Sequence, residues 1–151
     1  MEITSDMVKE LRDKTGISVM ECKKALTAAE GDMEKALAIL SEKSAGAVAK
    51  KADRELGAGA VASYIHNTMQ MGAMVLLSSE TDFVSKNEEF VALARDIAMH
   101  AAAMRPADEA EVLEQPFIKD PSKTIKEMIA AATQKFGERI ELSKLAFFAV
   151  K

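Results

Sequence analysis

The chain has 151 residues, with 20 Lys and Arg against 24 Asp and Glu for a net charge of −4. That length makes one medium domain or two small ones with a real core, and 48% apolar content excludes wholesale disorder. The acidic balance argues against a large nucleic-acid footprint, and the one cysteine, Cys22, excludes an internal disulfide or a CxxC metal or redox site.

The first residues, Met1-Glu2-Ile3-Thr4-Ser5-Asp6, are acidic and lack an apolar run, so no secretory leader is expected. The best apolar window, Gly72 to Leu77, is far shorter than the ~18 residues of a membrane helix. A cytoplasmic protein is the expectation.

Residues 1–44 read as a three-helix bundle. Thr4 or Ser5 caps a helix that turns Val8 and Leu11 inward and ends at Thr15-Gly16. Ser18-Val19-Met20-Glu21 is a capping box opening a helix with Val19, Cys22, Leu26 and Ala29 on one side. Asp32 caps a third helix, with Met33, Ala36, Leu37 and Leu40 at helical spacing. Residues 45–56, rich in charges and small side chains, read as a partly helical linker. The pair Lys50-Lys51 reads first as part of a solvated linker and second as a phosphate contact.

From residue 57 to 151 the pattern predicts an α+β core, β-β-α-α-β, with about three antiparallel strands. Val61, Ser63 and Ile65 alternate with Ala60, Ala62, Tyr64 and His66 in a first strand, and Gly72 to Glu80 forms a second. A helix follows from about Asn87 to Ala103, with Phe90, Leu93, Ala94, Ile97, Ala101 and Met104 in its apolar stripe. Ala107 to Lys119 reads as short, acidic and irregular. Asp120-Pro121 is expected to cap and open the last helix, which Gly137 ends, before a strand from Ile140 to Val150.

The second strand is apolar on both faces, with Ala73, Val75 and Leu77 against Met74 and Leu76. An open antiparallel sheet wetted on one side should alternate apolar with polar. Two helices cover one face of so small a sheet, so the other calls for a second protein surface. A homodimer or a partner interface is therefore expected.

The catalytic inventory is poor: His66 and His100 are the only histidines, and no GxSxG, HExxH or P-loop pattern occurs. His100 lies along an apolar stripe and reads as a core histidine. His66, at the hairpin tip beside Tyr64, reads as an exposed contact residue, and Cys22 as a small hydrophobe. An enzyme is disfavoured, and no cofactor is expected. The most unusual segment is Glu80-Thr81-Asp82-Phe83-Val84, where a strand gives way to a helix. Phe83 there either plugs the core beneath the sheet or projects into a partner's pocket beside Asp82.

The run Ile3-Thr4-Ser5-Asp6-Met7-Val8-Lys9-Glu10-Leu11-Arg12-Asp13-Lys14-Thr15-Gly16, with Met20-Glu21-Cys22-Lys23-Lys24-Ala25-Leu26, resembles the N-terminal domain of the translation elongation factor Ts family. Thr81-Asp82-Phe83-Val84 with Asn87-Glu88-Glu89-Phe90 resembles that family's core motif. Gln115-Pro116-Phe117-Ile118 with Asp120-Pro121-Ser122-Lys123-Thr124 resembles its C-terminal signature. The chain departs from the pattern in three places. Asn67-Thr68-Met69-Gln70-Met71 stands in for a glycine-rich basic turn, Ser79 for a cysteine, and most of a helical stretch between Pro106 and Gln115 is missing. A compact member, with a UBA-like N-terminal bundle, is implied.

The resemblance implies guanine-nucleotide exchange on elongation factor Tu, with no covalent chemistry. In that family's manner Arg12, Val19, Met20 and Lys23 would dock on the GTPase domain, and His66 would meet another domain of Tu. Thr81, Asp82, Phe83 and Val84 would act near the partner's magnesium site, displacing the ion and loosening GDP. The competing reading is a protein-binding module with a UBA-like bundle and no exchange activity, although Thr15-Gly16-Ile17-Ser18 lacks such domains' usual Met-Gly-aromatic loop. A small ligase or hydrolase is the other competitor, weakened by the absence of a nucleophile-base pair.

Overall fold

A computed structural model describes residues 2–151. Its helices are α1 (Ser5–Thr15), α2 (Val19–Ala28), α3 (Met33–Lys50), α4 (Asp82–Ser85), α5 (Glu88–Met104), α6 (Glu109–Glu114) and α7 (Ile125–Phe136). Its strands are β1 (Ala58–Ile65), β2 (Met71–Ser79), β3 (Pro116–Phe117), β4 (Asp120–Thr124) and β5 (Glu141–Ala149), so the class is α+β. The chain forms two units, one reaching to Asp53 and including Ala130–Gly137, the other Arg54–Ile129 with Glu138–Lys151.

In the first unit the caps follow from the sequence. Thr4 Oγ1 accepts the Met7 N–H, and Gly16 closes α1 at a φ of 71°, which glycine adopts without strain. Ser18 Oγ accepts the Glu21 N–H, but the Glu21 carboxylate turns to Lys24 and Lys43 instead of completing the box. Leu11, Ile17, Cys22, Leu26 and Leu40 fill the small core. Val19, expected inside, is exposed. Ile17 takes the inward position, preceding the cap and meeting Cys22 four residues into the helix, as a hydrophobic staple does. α3 continues to Lys50, through the first part of the expected linker, and Ser44 Oγ donates to Gln134 Oε1 at 2.5 Å.

In the second unit the main sheet has strand order β1-β2-β5, all antiparallel. α5 packs against β1 and β2, and its Ala101 and Ala102 allow close approach to Ala73, with Tyr64, Leu145 and Phe147 around them. β5 carries a bulge where Leu76 pairs Lys144 and Leu77 pairs Leu142. The covered face presents Ala62, Ala73, Val75, Leu77 and Leu142, all buried. The opposite face presents Val61 at 67% exposure, Ile65 at 64% and Phe148 at 79%, with Met74 also exposed. Glycine suits position 72 on that face, since a Cβ there would meet the Tyr64 carbonyl oxygen at 3.0 Å and push aside the exposed end of the Ile65 side chain. Burial, rather than polarity, alternates from Ala73 to Leu77 in β2.

The segment between α5 and α7 corrects two expectations. Residues 107–119 are not all irregular: Asp108 caps α6 by accepting the Glu111 N–H, and Glu111 accepts the Ala107 N–H in return. Asp120-Pro121 does not open the last helix. Asp120–Thr124 is strand β4, paired with β3, and the Asp120 carboxylate is taken up by the Ser122 N–H and hydroxyl. The helix starts after Thr124, where Thr124 and Glu127 form a complete reciprocal capping box. Among the described residues, no helix is long and apolar enough to cross a membrane.

Candidate functional site

Strand β2 ends at Ser79 and the single turn α4 begins at Asp82, so the chain changes direction over Glu80-Thr81. Residues on an α-helix advance by 100°, so four of them cannot all face the core. Val84 and Ser85 turn inward and are buried, while Asp82 and Phe83 turn outward. Phe83 is 89% exposed, which overturns the core-plug reading. Val84 is the inward anchor, so of the four residues singled out in this segment it has no surface to offer a partner. The turn closes through Ser85 N–H to Thr81 C=O and Lys86 N–H to Asp82 C=O, and Asn87 N–H donates to Val84 C=O. Asn87 then caps α5 by accepting the Glu89 N–H at 2.8 Å.

The approach to the turn is clasped by the loop between α7 and β5. Glu138 Oε1 accepts both the Glu80 N–H (3.1 Å) and the Thr81 N–H (3.0 Å), while Oε2 accepts the Thr81 hydroxyl at 2.7 Å. In return Glu80 Oε2 accepts the Arg139 N–H at 2.5 Å and lies 3.5 Å from the Arg54 guanidinium. Ser79 Oγ donates to the Thr81 carbonyl at 3.0 Å. Sequence reading missed Glu138, Arg139 and Arg54. The only local signal is a pair of charged residues between the helix-ending Gly137 and a strand, and Glu138 lies 58 positions from Glu80.

The other site residues lie apart from this turn or in the other unit. In the first unit, Arg12 on α1 and Val19, Met20 and Lys23 on α2 are all exposed. In the second, Ala58 pairs Ser79 and Ile65 pairs Gly72, so His66 follows the end of β1 that is remote from Thr81. Eight strand residues separate the two ends by roughly 25 Å. His66, expected to be exposed, is half-buried: its Nδ1 accepts the Thr68 N–H and sits 2.8 Å from Thr68 Oγ1, with Tyr64 against its ring edge. The turn after β1 folds back on this side chain through Thr68, with Met69 at a φ of 62°.

His100 is fully buried. Its Nδ1 accepts the Ile118 N–H at 3.1 Å, so Nε2 carries the proton and donates to Gln115 Oε1 at 2.9 Å. Burial lowers its pKa, partly countered by the Gln115 bond. Cys22 is buried, and that burial pushes its thiol pKa up, away from nucleophilic character. Among the described residues, no cluster of His, Cys, Asp and Glu could hold a metal ion.

Comparison with known proteins bears on this arrangement. The family described as Elongation factor TS matches residues 80–151, a span that begins at the clasped turn. A protein named Elongation factor Ts from Acetivibrio thermocellus is 38% identical over 97% of this chain and 89% of its own length. That alignment runs over 191 positions, more than the chain's own length, so the relative carries segments absent here. The protein of the same name from Desulforamulus reducens is 39% identical over 95% of this chain and 87% of its own. The one from Clostridium botulinum strain ATCC 19397 is 44% identical over 98% of this chain, which spans only 48% of it.

Proposed function

This chain belongs to the elongation factor Ts family of translation elongation factors, and from that premise we propose that it is the guanine-nucleotide exchange factor for elongation factor Tu. The observation that carries the reading is Phe83, a large apolar side chain 89% exposed on an anchored turn with an exposed carboxylate, Asp82, beside it. A ring left in water on its own globule has its burial free energy available for another one.

Asp82 and Phe83 enter the GTPase near its magnesium site, while Arg12, Val19, Met20 and Lys23 dock the bundle on the same domain and His66 meets a second domain. Thr81 and Val84 hold the turn in shape from behind. Displacing the partner's magnesium removes charge compensation from the GDP phosphates, and the nucleotide leaves. No covalent bond is made or broken, so the protein is not an enzyme in the chemical sense, and it works in the cytoplasm.

The energetics are those of linkage, because factor and nucleotide weaken each other by one shared coupling free energy. A 10⁴-fold loosening requires about 5.5 kcal/mol, whereas burying one phenylalanine contributes about 2–3 kcal/mol. Phe83 therefore acts together with the bundle contacts and the loss of magnesium. The exposed apolar face of Val61, Ile65, Met74 and Phe148 supports a second element of the proposal, a homodimer joined through that face. The bundle, residues 1–44, serves docking, residues 45–56 link it to the core, and residues 57–151 serve exchange and dimerisation.

The test is release of fluorescent GDP from purified Tu. Acceleration by a substoichiometric amount of the protein supports exchange. A folded protein that binds Tu or another partner without accelerating release favours the binding-module reading.

A further inference from the structure

Phe83 is 89% exposed, so no packing within its own chain fixes the ring, and its direction is only as defined as the backbone beneath it. That backbone is a four-residue helix, too short to be stable by its own hydrogen bonds. On its far side it is anchored by buried Val84 and Ser85 and by the bond from Asn87. On its near side the sheet gives no support, because the last paired residue of β2 is Ser79. Without a further partner the Glu80 amide would be left part-buried and the Thr81 amide in water, and the Thr81 hydroxyl, at the cap position, makes no bond to its own helix. All three donors are instead gathered by one carboxylate, that of Glu138.

Building on the exchange reading, we propose that Glu138 is a positioning residue for the Asp82–Phe83 wedge, acting through Thr81 and touching no partner atom itself. Bonds to an ionised carboxylate are shorter and stronger than neutral ones, and a bidentate arrangement fixes direction as well as distance. The reciprocal bond from the Arg139 N–H to Glu80 makes the link a two-way clasp between residues 80–81 and 138–139. The two Thr81 bonds are exposed and open to replacement by water, whereas the Glu80 amide bond is part-buried, so losing the carboxylate costs some stability without removing the fold. What is lost is the pre-set orientation of a ring that must be ordered before it binds.

The test uses the full chain in the GDP-release assay, with thermal unfolding followed in parallel. Glu138→Ala is expected to slow release about tenfold at subsaturating factor while the cooperative melt is retained. Glu138→Gln, which keeps an acceptor for the two amides, restores most of the rate. Thr81→Val, which removes only the hydroxyl bond, slows release about threefold and serves if the alanine variant does not fold. In a Phe83→Ala background the Glu138→Ala change adds less than twofold, because the residue acts through the ring it aims. Glu138→Ala at the unmodified rate, or an undiminished tenfold loss on top of Phe83→Ala, overturns the proposal. An unmodified chain that leaves GDP release unchanged overturns the exchange reading itself, a result distinct from either.

Discussion

Phe83 and Phe90 lie seven residues apart, one on the turn α4 and the other in the first turn of α5, yet the first is 89% exposed and the second 0%. Both follow a carboxylate, Asp82 in one case and Glu89 in the other, so composition does not separate them. The difference comes from the element. Phe90 opens a 17-residue helix whose stripe continues through Ala94, Ile97 and Ala101, all buried, so its ring joins a surface that must be covered. Phe83 sits on a single turn that buries Val84 and Ser85 and has no further face to turn inward. One ring stabilises the fold, and the other is held back from it.

The sharpest way to break this comparison is to shorten both rings. Phe90→Ala leaves a cavity at the base of α5 and is expected to cost about 3–5 kcal/mol, read from urea unfolding midpoints. GDP release per folded molecule should stay normal. Phe83→Ala is the mirror image: stability within ~0.5 kcal/mol of the unmodified chain, and release slowed ~30-fold or more if the ring contributes about 2–3 kcal/mol to the partner complex. A large loss of stability in the second variant would show that the exposed ring is doing structural work after all.

The two faces of the sheet extend the same contrast over a larger area. Val75 and Leu77 are covered by this chain's own helices, while Val61, Ile65 and Phe148 on the reverse are left in water. Phe148→Asp puts a carboxylate on the edge strand at the end of that reverse face, across Gly72 from Ile65. Sedimentation should show self-association weakened about tenfold or more, since a buried unpaired charge costs well over 1.4 kcal/mol. The thermal unfolding of the dilute monomer should be unchanged. Unaltered self-association would mean that dimers, if formed, use another surface.

Much of the fold was legible because its signals are local. Caps such as Thr4, Ser18 and Asp32, the helical spacing of Phe90, Ala94 and Ile97, and the two-faced apolarity of β2 act over fewer than ten residues. Where two local signals competed, reading went astray. Asp120-Pro121 has the form of a helix start, but the reciprocal pair Thr124 and Glu127 satisfies two orphan groups where Asp120 satisfies none of that helix's. Val19 lost its inward place to Ile17 because the connection, not the helix, supplied the staple. In the site, the unusual run at Thr81–Val84 could be seen, but whether Phe83 faced in or out could not, since that depends on which side of one turn Val84 takes. Glu138 was invisible for a different reason: its partners are 57 and 58 positions away, and no periodicity links a carboxylate to backbone amides across such a gap.

The smallest expected effect concerns a buried polar group at the other end of α5. His100 holds residues 115 and 118 to that helix through an uncharged ring, and desolvation lowers its pKa from the ordinary value near 6.5. Above about pH 6.5 the ring is neutral in both folded and unfolded chains, and its contribution is fully present. As the pH falls below that value, the unfolded chain takes up a proton that the folded one resists, so stability declines until the folded pKa is also passed. The protonated ring would in addition turn an N–H toward the Ile118 N–H, setting donor against donor. His100→Asn keeps a short polar side chain that does not titrate. The stability difference between the unmodified chain and this variant, measured by urea unfolding, should be constant above pH 6.5 and shrink as the pH is lowered. Taking the difference cancels the carboxylates, which titrate equally in both. Curves that stay parallel through this window would mean that His100 is held by packing against Phe117 rather than by the state of its ring nitrogens.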